Sequence, residues 1–227
     1  GPTNKQYSKQ CAFRGREIMT RDLLLIGAGG HARSCIEVIE STGIYRIAGL
    51  IGQPLEIGTS ELGYKVIGQD EDLAQLVEVH SQALVSVGQI KSATLRVKLF
   101  NLIQQYGFIV PTIVASSAQV SKHAIIGSGS IVMHGAIVNA GATIGDNCII
   151  NSRSIIEHDV VVGDHSHVSV GAILNGGVKV SNETFIGSGA LVKEGLTVGS
   201  RCIIGMGAVV RRDVESESQV VGVGLNE

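Results

Sequence analysis

Seven histidines punctuate this chain of 227 residues: His31, His80, His123, His134, His158, His165 and His167. Imidazole titrates near neutral pH, so each is a candidate for moving a proton. His158 is set apart by its surroundings, Asn151-Ser152-Arg153-Ser154-Ile155-Ile156-Glu157-His158-Asp159. A carboxylate next to an imidazole can orient the ring and favour one tautomer, which suits a general base. The alternative for a lone histidine on a solvated face is no function at all; the adjacent acid favours the base.

A second group capable of chemistry is Gly27-Ala28-Gly29-Gly30-His31-Ala32, directly after the apolar run Asp22-Leu23-Leu24-Leu25-Ile26. Between a strand and a helix, such a turn offers backbone N–H groups and a helix N-terminus to a diphosphate. A purely structural turn is the alternative. A dinucleotide fold carries an Asp or Glu about 20 residues on for the ribose. The second strand here ends Ile51-Gly52 without an acid, so NAD is not expected and a nucleotide-activated sugar is the favoured ligand.

The elements that position these groups are of two kinds. From Val114 to Val210 the chain repeats with a period of six, and all seventeen landing points are aliphatic, from Val114, Val120 and Ile126 through Ile150 and Ile156 to Ile204 and Val210. A residue fitting a tight inner corner follows four places after each, as at Ala136, Cys148, Ser166 and Ala190. Neither a helix nor an ordinary strand has this period. One short strand plus one turn, wound into a coil, does. The pattern resembles the hexapeptide repeat of left-handed parallel β-helices, three-sided prisms with eighteen residues per coil; coil length and hand come from that resemblance. A purely structural solenoid is one reading and an acyltransferase the other. In such a coil the side chain of His158, two places after inward-facing Ile156, projects outward between Ala140 and Gly176, and the Gly176 N–H lies one coil away, where an oxyanion could form. Stacked zinc ligands would need histidines eighteen or thirty-six apart, or convergence across a subunit boundary. No pair has those separations, and no metal is expected.

The N-terminal part alternates strand and helix. Strands are expected at 22–26, 47–51, 65–68, 83–87 and 108–110. One helix begins near His31, with Ala32, Cys35, Ile36 and Ile39 inward and Gly43 at its end. A second is capped by Asp70 and carries Leu73, Leu76 and Val77. A third is capped by Ser92, with Leu95, Leu99, Leu102, Ile103 and Tyr106 inward. This order gives a small Rossmann-like parallel α/β domain over 21–112 and an all-β prism over 113–227. Residues 1–20 read as a tag scar, with Met19 the native start, or as a linker from a longer polypeptide. The net charge of −2 argues against nucleic acid or an anionic membrane as partner. No apolar run spans a bilayer, and no secretory signal is visible. The four cysteines, Cys11, Cys35, Cys148 and Cys202, form no C-x-x-C pair and read as reduced thiols of a cytoplasmic protein.

The glycine turn continuing to Arg33, the stretch Ile156-Glu157-His158-Asp159, and Ser166-His167-Val168-Ser169-Val170-Gly171-Ala172 are together similar to the PglD/NeuD family of sugar acetyltransferases. The resemblance spans about residues 22–223. It implies an acetyl-CoA-dependent N-acetyltransferase acting on a UDP-4-amino-4,6-dideoxy sugar, with His158 as general base, Asp159 as its carboxylate and the Gly176 amide on the oxyanion. It further implies acetyl-CoA contacts at His167, Gly176, Gly187, Gly189, Gly205 and Gly207, with His167 near the thioester. Sugar-nucleotide contacts are expected at Gly27, Gly29, Gly30, His31 and Asn151. A homotrimer with acetyl-CoA between two prisms follows from the same resemblance, as does a fusion behind a membrane-bound sugar-phosphate transferase. Two departures stand out: Ile51-Gly52 replaces acids near the nucleotide, and Val221-Gly222-Val223-Gly224 replaces a Val-Pro-Ala-like turn. The rival readings are O-acetylation of sialic acid or another sugar, and a non-catalytic subunit that binds nucleotide sugars.

Overall fold

The computed structural model describes residues 21–222; the expectations for 1–20 lie outside them. The N-terminal part is a sheet of five strands, β1 (Arg21–Ile26), β2 (Tyr45–Ile51), β3 (Ser60–Glu61), β4 (Tyr64–Gly68) and β5 (Ala83–Val85), ordered β3-β4-β2-β1-β5. All pairings are parallel except β3 with β4, a short hairpin that the apolar pattern does not announce. Leu23, Leu24 and Leu25 are fully buried on alternating faces of β1, as a central strand covered by helices on both sides requires. The helices are α1 (Gly30–Thr42), α2 (Leu73–Leu76) and α3 (Thr94–Gln105).

Four local expectations need correction. The strand at 108–110 is reduced to a single bridge between Gln82 and Ile109. The turn before α2 is capped by Gln69 in a reciprocal box with Asp72, not by Asp70. Ser92 sits one residue outside the cap of α3, its hydroxyl accepting the Thr94 N–H at 3.1 Å. On α3 itself Leu95 and Tyr106 are exposed, while Arg96 and Phe100 are buried. The last difference has a packing cause. Leu99 and Ile103 face the sheet, whereas Arg96 reaches Asn147 and Phe100 packs edge-on against His165 in the C-terminal part, so α3 is covered on two sides rather than along one stripe.

From β6 (Ile113–Val114) to β22 (Val209–Val210) the chain forms seventeen two-residue strands, followed by β23 (Gln219–Val220). The second residue of each, up to Val210, is a member of the six-residue series, and from Val132 onward every one is buried. Three parallel sheets result: a first wall holding β6, β9, β12, β15, β18, β21 and β23, a second holding β7, β10, β13, β16, β19 and β22, and a third holding β8, β11, β14, β17 and β20. Partners are eighteen residues apart, as in Ile137, Ile155 and Ile173. The last coil is shorter by two, pairing Ile203 with Gln219 and Val198 with Val214, which is why the series stops at Val210. No coil could bury its aliphatic face alone; stacking makes one continuous core. Corner hydroxyls inside it are satisfied, as where Ser166 Oγ donates to Ser181 O at 3.0 Å and accepts from Thr184 N at 3.1 Å.

The α/β part sits on the first wall. Cys35, Ile36, Val38 and Ile39 of α1 share one buried cluster with Ile113, Ala115, Ile131, Met133 and Ile149, which point outward from the prism.

Candidate active site

His158 lies on the prism edge between the second and third walls, in the turn joining β13 (Ile155–Ile156) to β14 (Val161–Val162). Its Nδ1 is 3.0 Å from Asp159 Oδ2, and the two side chains are 66% and 73% exposed. The carboxylate can only accept, so Nδ1 carries the proton and Nε2 presents a free lone pair. Asp159 has left-handed backbone, φ 61°, which a short polar side chain tolerates. The space for both groups is made by glycine. A Cβ on Gly176 would lie 2.6 Å from His158 Cε1 and Nε2, and one on Gly141 would lie 2.4 Å from Asp159 Oδ1. Among the described residues the Gly176 N–H has no acceptor. An unpaired lone pair and an unpaired backbone donor thus stand side by side on an open edge.

The glycine turn borders a cavity of about 230 Å³ at the C-terminal ends of β1, β2 and β5, lined among others by Gly27, Gly29, Gly30, His31 and Ser86. Nothing lies within 4 Å of where a Cβ on Gly29 or Gly30 would be, so a ligand can approach the backbone at the start of α1. The acid missing from the end of β2 arrives from elsewhere: Glu56 and Asp70 both line the cavity. Glu56 Oε2 accepts the Gln53 N–H at 2.7 Å, and burial raises the pKa of Asp70. The readable signal for Glu56 was its box with Gln53 across Pro54.

His167 is different. It lies on the first wall beneath the α/β part, 5% exposed, with Nδ1 2.6 Å from the Gln89 carbonyl and Nε2 3.0 Å from Asn151 Nδ2. The carbonyl requires a proton on Nδ1, which makes Nε2 the acceptor. Both ring nitrogens are therefore engaged within the chain, and the ring centroid is 6.4 Å from that of His31. Burial pushes His167 down to about 4 and His31 to about 3, so both are neutral near pH 7. The structure groups His167 with Asn151, Gln89 and the glycine turn, not with His158. Gly187, Gly189, Gly205 and Gly207, together with Asn151, follow strands of the first wall and lie on the edge between first and second walls. In one chain the whole second wall separates them from His158. Sequence reasoning did not single out Gln89, Arg96 or Asn147, the residues that tie the two parts together. Among the described residues no cluster of three or more His, Cys, Asp or Glu is placed to hold a metal ion.

Comparison with known proteins fits this geometry. Residues 22–102 match the PglD N-terminal domain, 117–157 the bacterial transferase hexapeptide, and 141–176 and 177–212 the hexapeptide repeat of succinyl-transferase. No curated protein sequence matches. Among solved structures, a point mutant of perosamine N-acetyltransferase from Caulobacter crescentus, in complex with CoA and GDP-perosamine, is 34% identical with a TM-score of 0.83, over 89% of this chain and 94% of that one. The acetyltransferase domain of PglB from Neisseria gonorrhoeae, in complex with acetyl coenzyme A, is 32% identical with a TM-score of 0.82, over 89% and 97%. WeeI from Acinetobacter baumannii, 24% identical with a TM-score of 0.80 over 89% and 97%, shares the fold. An N-terminal α/β unit of the PglD type, hexapeptide coils behind it and a third of the residues shared with the first two enzymes along most of their length lead to one conclusion: the chain belongs to the PglD family of sugar acetyltransferases.

Proposed function

We propose that the protein transfers the acetyl group of acetyl-CoA to the amino group of a nucleotide-activated amino sugar, of the UDP-4-amino-4,6-dideoxy type or its GDP counterpart. The observation that carries this reading is the exposed His158–Asp159 pair with its free Nε2 beside the unpaired Gly176 N–H. The sugar amine attacks the thioester carbonyl carbon while His158 Nε2 takes an amine proton. The Gly176 N–H stabilises the oxyanion. Collapse breaks the C–S bond, and the imidazolium returns the proton to the departing thiolate, leaving amide and CoA. The thioester is already activated, so no covalent enzyme intermediate is required. We place the reaction in the cytoplasm, where the buried thiols of Cys35, Cys148 and Cys202 would stay reduced.

The fold supports a site completed by a second copy. His158 occupies the vertex opposite the first wall, and the first wall carries the α/β part with its glycine-turn cavity. The second wall presents an uncovered ladder of outward aliphatic residues, Ile137, Ile155, Ile173, Leu191 and Val209, the last two 39% and 53% exposed. Three copies packed by this wall would set the His158 edge of one against the Asn151, Gly189 and Gly207 edge of the next, and beside its nucleotide cavity. Acetyl-CoA would then lie in the groove between prisms. Two measurements test the reading. Mass spectrometry of amino- and hydroxy-sugar nucleotides incubated with acetyl-CoA should show acetylation of the amine; O-acetylation only, or none, would overturn it. Mixing inactive His158→Ala protein with an inactive glycine-turn variant should restore activity in mixed oligomers, and no recovery would exclude the shared site.

A further inference from the structure

Among the described residues Arg96 is the bulkiest fully buried side chain, 1% exposed. Its Nη1 donates to the carbonyls of Val85 and Val87, and its Nη2 to Asn147 O at 3.1 Å and Asn147 Oδ1 at 2.7 Å. Every acceptor is neutral. Among the described residues Arg96 takes part in no ion pair, and its Nε is buried without a partner. A buried charge left uncompensated is costly. Burial lowers this guanidinium only to about 10, so it remains a cation at neutral pH.

Its location gives the charge a use. Leu95 and Leu99 on either side of it along α3, and Val87, whose carbonyl it holds, all line the glycine-turn cavity. Its field reaches His31 in the same lining, where it adds to burial in keeping the ring neutral. The cavity wall contains two acids, Glu56 and Asp70, and no Lys or Arg. A diphosphate entering it meets no side-chain cation in the lining itself; exposed Lys98 of α3 acts on Asp70 from outside it. Within the wall, compensation is left to the N-terminus of α1 and to the charge that lies behind it.

We propose that Arg96 is a positioning residue for the nucleotide substrate: it pins the β5–α3 loop between cavity and prism, and its unpaired charge beneath the cavity attracts the diphosphate. This rests on the glycine-turn cavity being the nucleotide site. The test uses the full chain and measures binding of UDP, GDP and acetyl-CoA separately by calorimetry, with melting temperature recorded alongside. Arg96→Met should weaken the bound nucleoside diphosphate about tenfold or more, the effect of one unit charge about 10 Å away at an effective dielectric of about 20. Acetyl-CoA binding should be unchanged, and in turnover KM for the nucleotide sugar should rise with kcat little altered. Because Arg96→Met removes a buried tie and can compromise folding, Asn147→Asp provides a second arm. It retains the Oδ1 acceptor and the left-handed turn and places a carboxylate on the guanidinium, while giving up the Asn147 Nδ2 contacts to Arg96 O at 3.3 Å and His165 Nδ1 at 3.0 Å. At pH 8 it should leave the protein cooperatively folded with acetyl-CoA binding unchanged and still weaken nucleotide binding by a similar factor, an outcome that a merely structural role does not predict. Folded Asn147→Asp protein binding the nucleotide as tightly as wild type overturns the inference. Wild-type protein that binds neither UDP nor GDP overturns the nucleotide reading itself, and this inference with it.

Discussion

Two histidines nine residues apart, His158 and His167, sit in almost the same coil and lead opposite lives. His158 stands on an open edge, its Nδ1 engaged by a neighbouring carboxylate and its Nε2 unused. His167 lies on the wall that the α/β part covers, with one nitrogen donating to a carbonyl and the other accepting from an amide. A base needs a lone pair that substrate can reach, and only the first has one. The side chain is the same; the wall it stands on decides what it does. A repeat that turns through three faces every eighteen residues can thus place identical residues on an open, wet edge and in a dry seam.

The largest effect expected to separate the two is loss of His158, the proposed base. His158→Ala should lower kcat by roughly 10²–10⁴, the usual contribution of general-base catalysis, with the melting temperature nearly unchanged because the side chain is exposed. His167→Ala should do the reverse, costing stability and sparing kcat in whatever protein stays folded. Steady-state kinetics beside thermal melts decides, and a kcat for His167→Ala as low as that of His158→Ala would mean the seam takes part in chemistry. Gly176→Ala comes next. Its added Cβ would meet the imidazole at 2.6 Å, and displacing a catalytic group by about 1 Å can cost about 10²-fold. An alanine variant with wild-type kcat would show that ring position is not critical.

The seam has its own signature with pH. His167 is held neutral by burial, its pKa depressed from 6.5 to about 4. Between those values the unfolded chain binds a proton that the folded chain refuses, so stability falls as pH drops from about 6.5 towards 4 and levels off below. A shift of that size corresponds to roughly 3 kcal/mol, and His31, depressed to about 3 for the same main reason, extends the slope further into acid. Chemical denaturation at a series of pH values should show the slope, and His167→Gln should flatten it. An unchanged slope would place the acid sensitivity elsewhere.

What could be read in advance divides along the same line. The prism was legible because its core positions repeat every six residues, and one aliphatic type serves them all. The His158 corner was legible because its parts lie next to each other in sequence or one coil apart. The seam was not. Arg96 is packed against Asn147, 51 residues away, and at its position in α3 an arginine reads as a solvated face. Burial of Arg96 and Phe100 in place of Leu95 and Tyr106 depends on where the first wall lies, and no helical period encodes that. Likewise the acids of the glycine-turn cavity, Glu56 and Asp70, come from the connections after β2 and β4 rather than from the strand ends beside them.

The smallest effect is the most discriminating. Asp159→Asn removes a charge while leaving an oxygen that can still accept the Nδ1 proton, and asparagine tolerates the left-handed backbone at φ 61°. In the isolated chain the pair is well exposed, and water screens a charge at such a site. For an edge that works open the fall in kcat is therefore only about threefold to tenfold, an exposed carboxylate orienting the ring more than it holds the developing positive charge. Closure of the edge by a second copy and its bound substrate would change that balance. Once water is excluded, the same carboxylate acts in a medium of lower dielectric and its charge counts for more. Measuring Asp159→Asn and a second-wall variant such as Ile173→Asp, alone and combined, sorts the two cases. If the edge works open, the two losses are independent. If it works closed, Asp159→Asn costs much more in the assembled protein, and disrupting the wall abolishes both the activity and the difference.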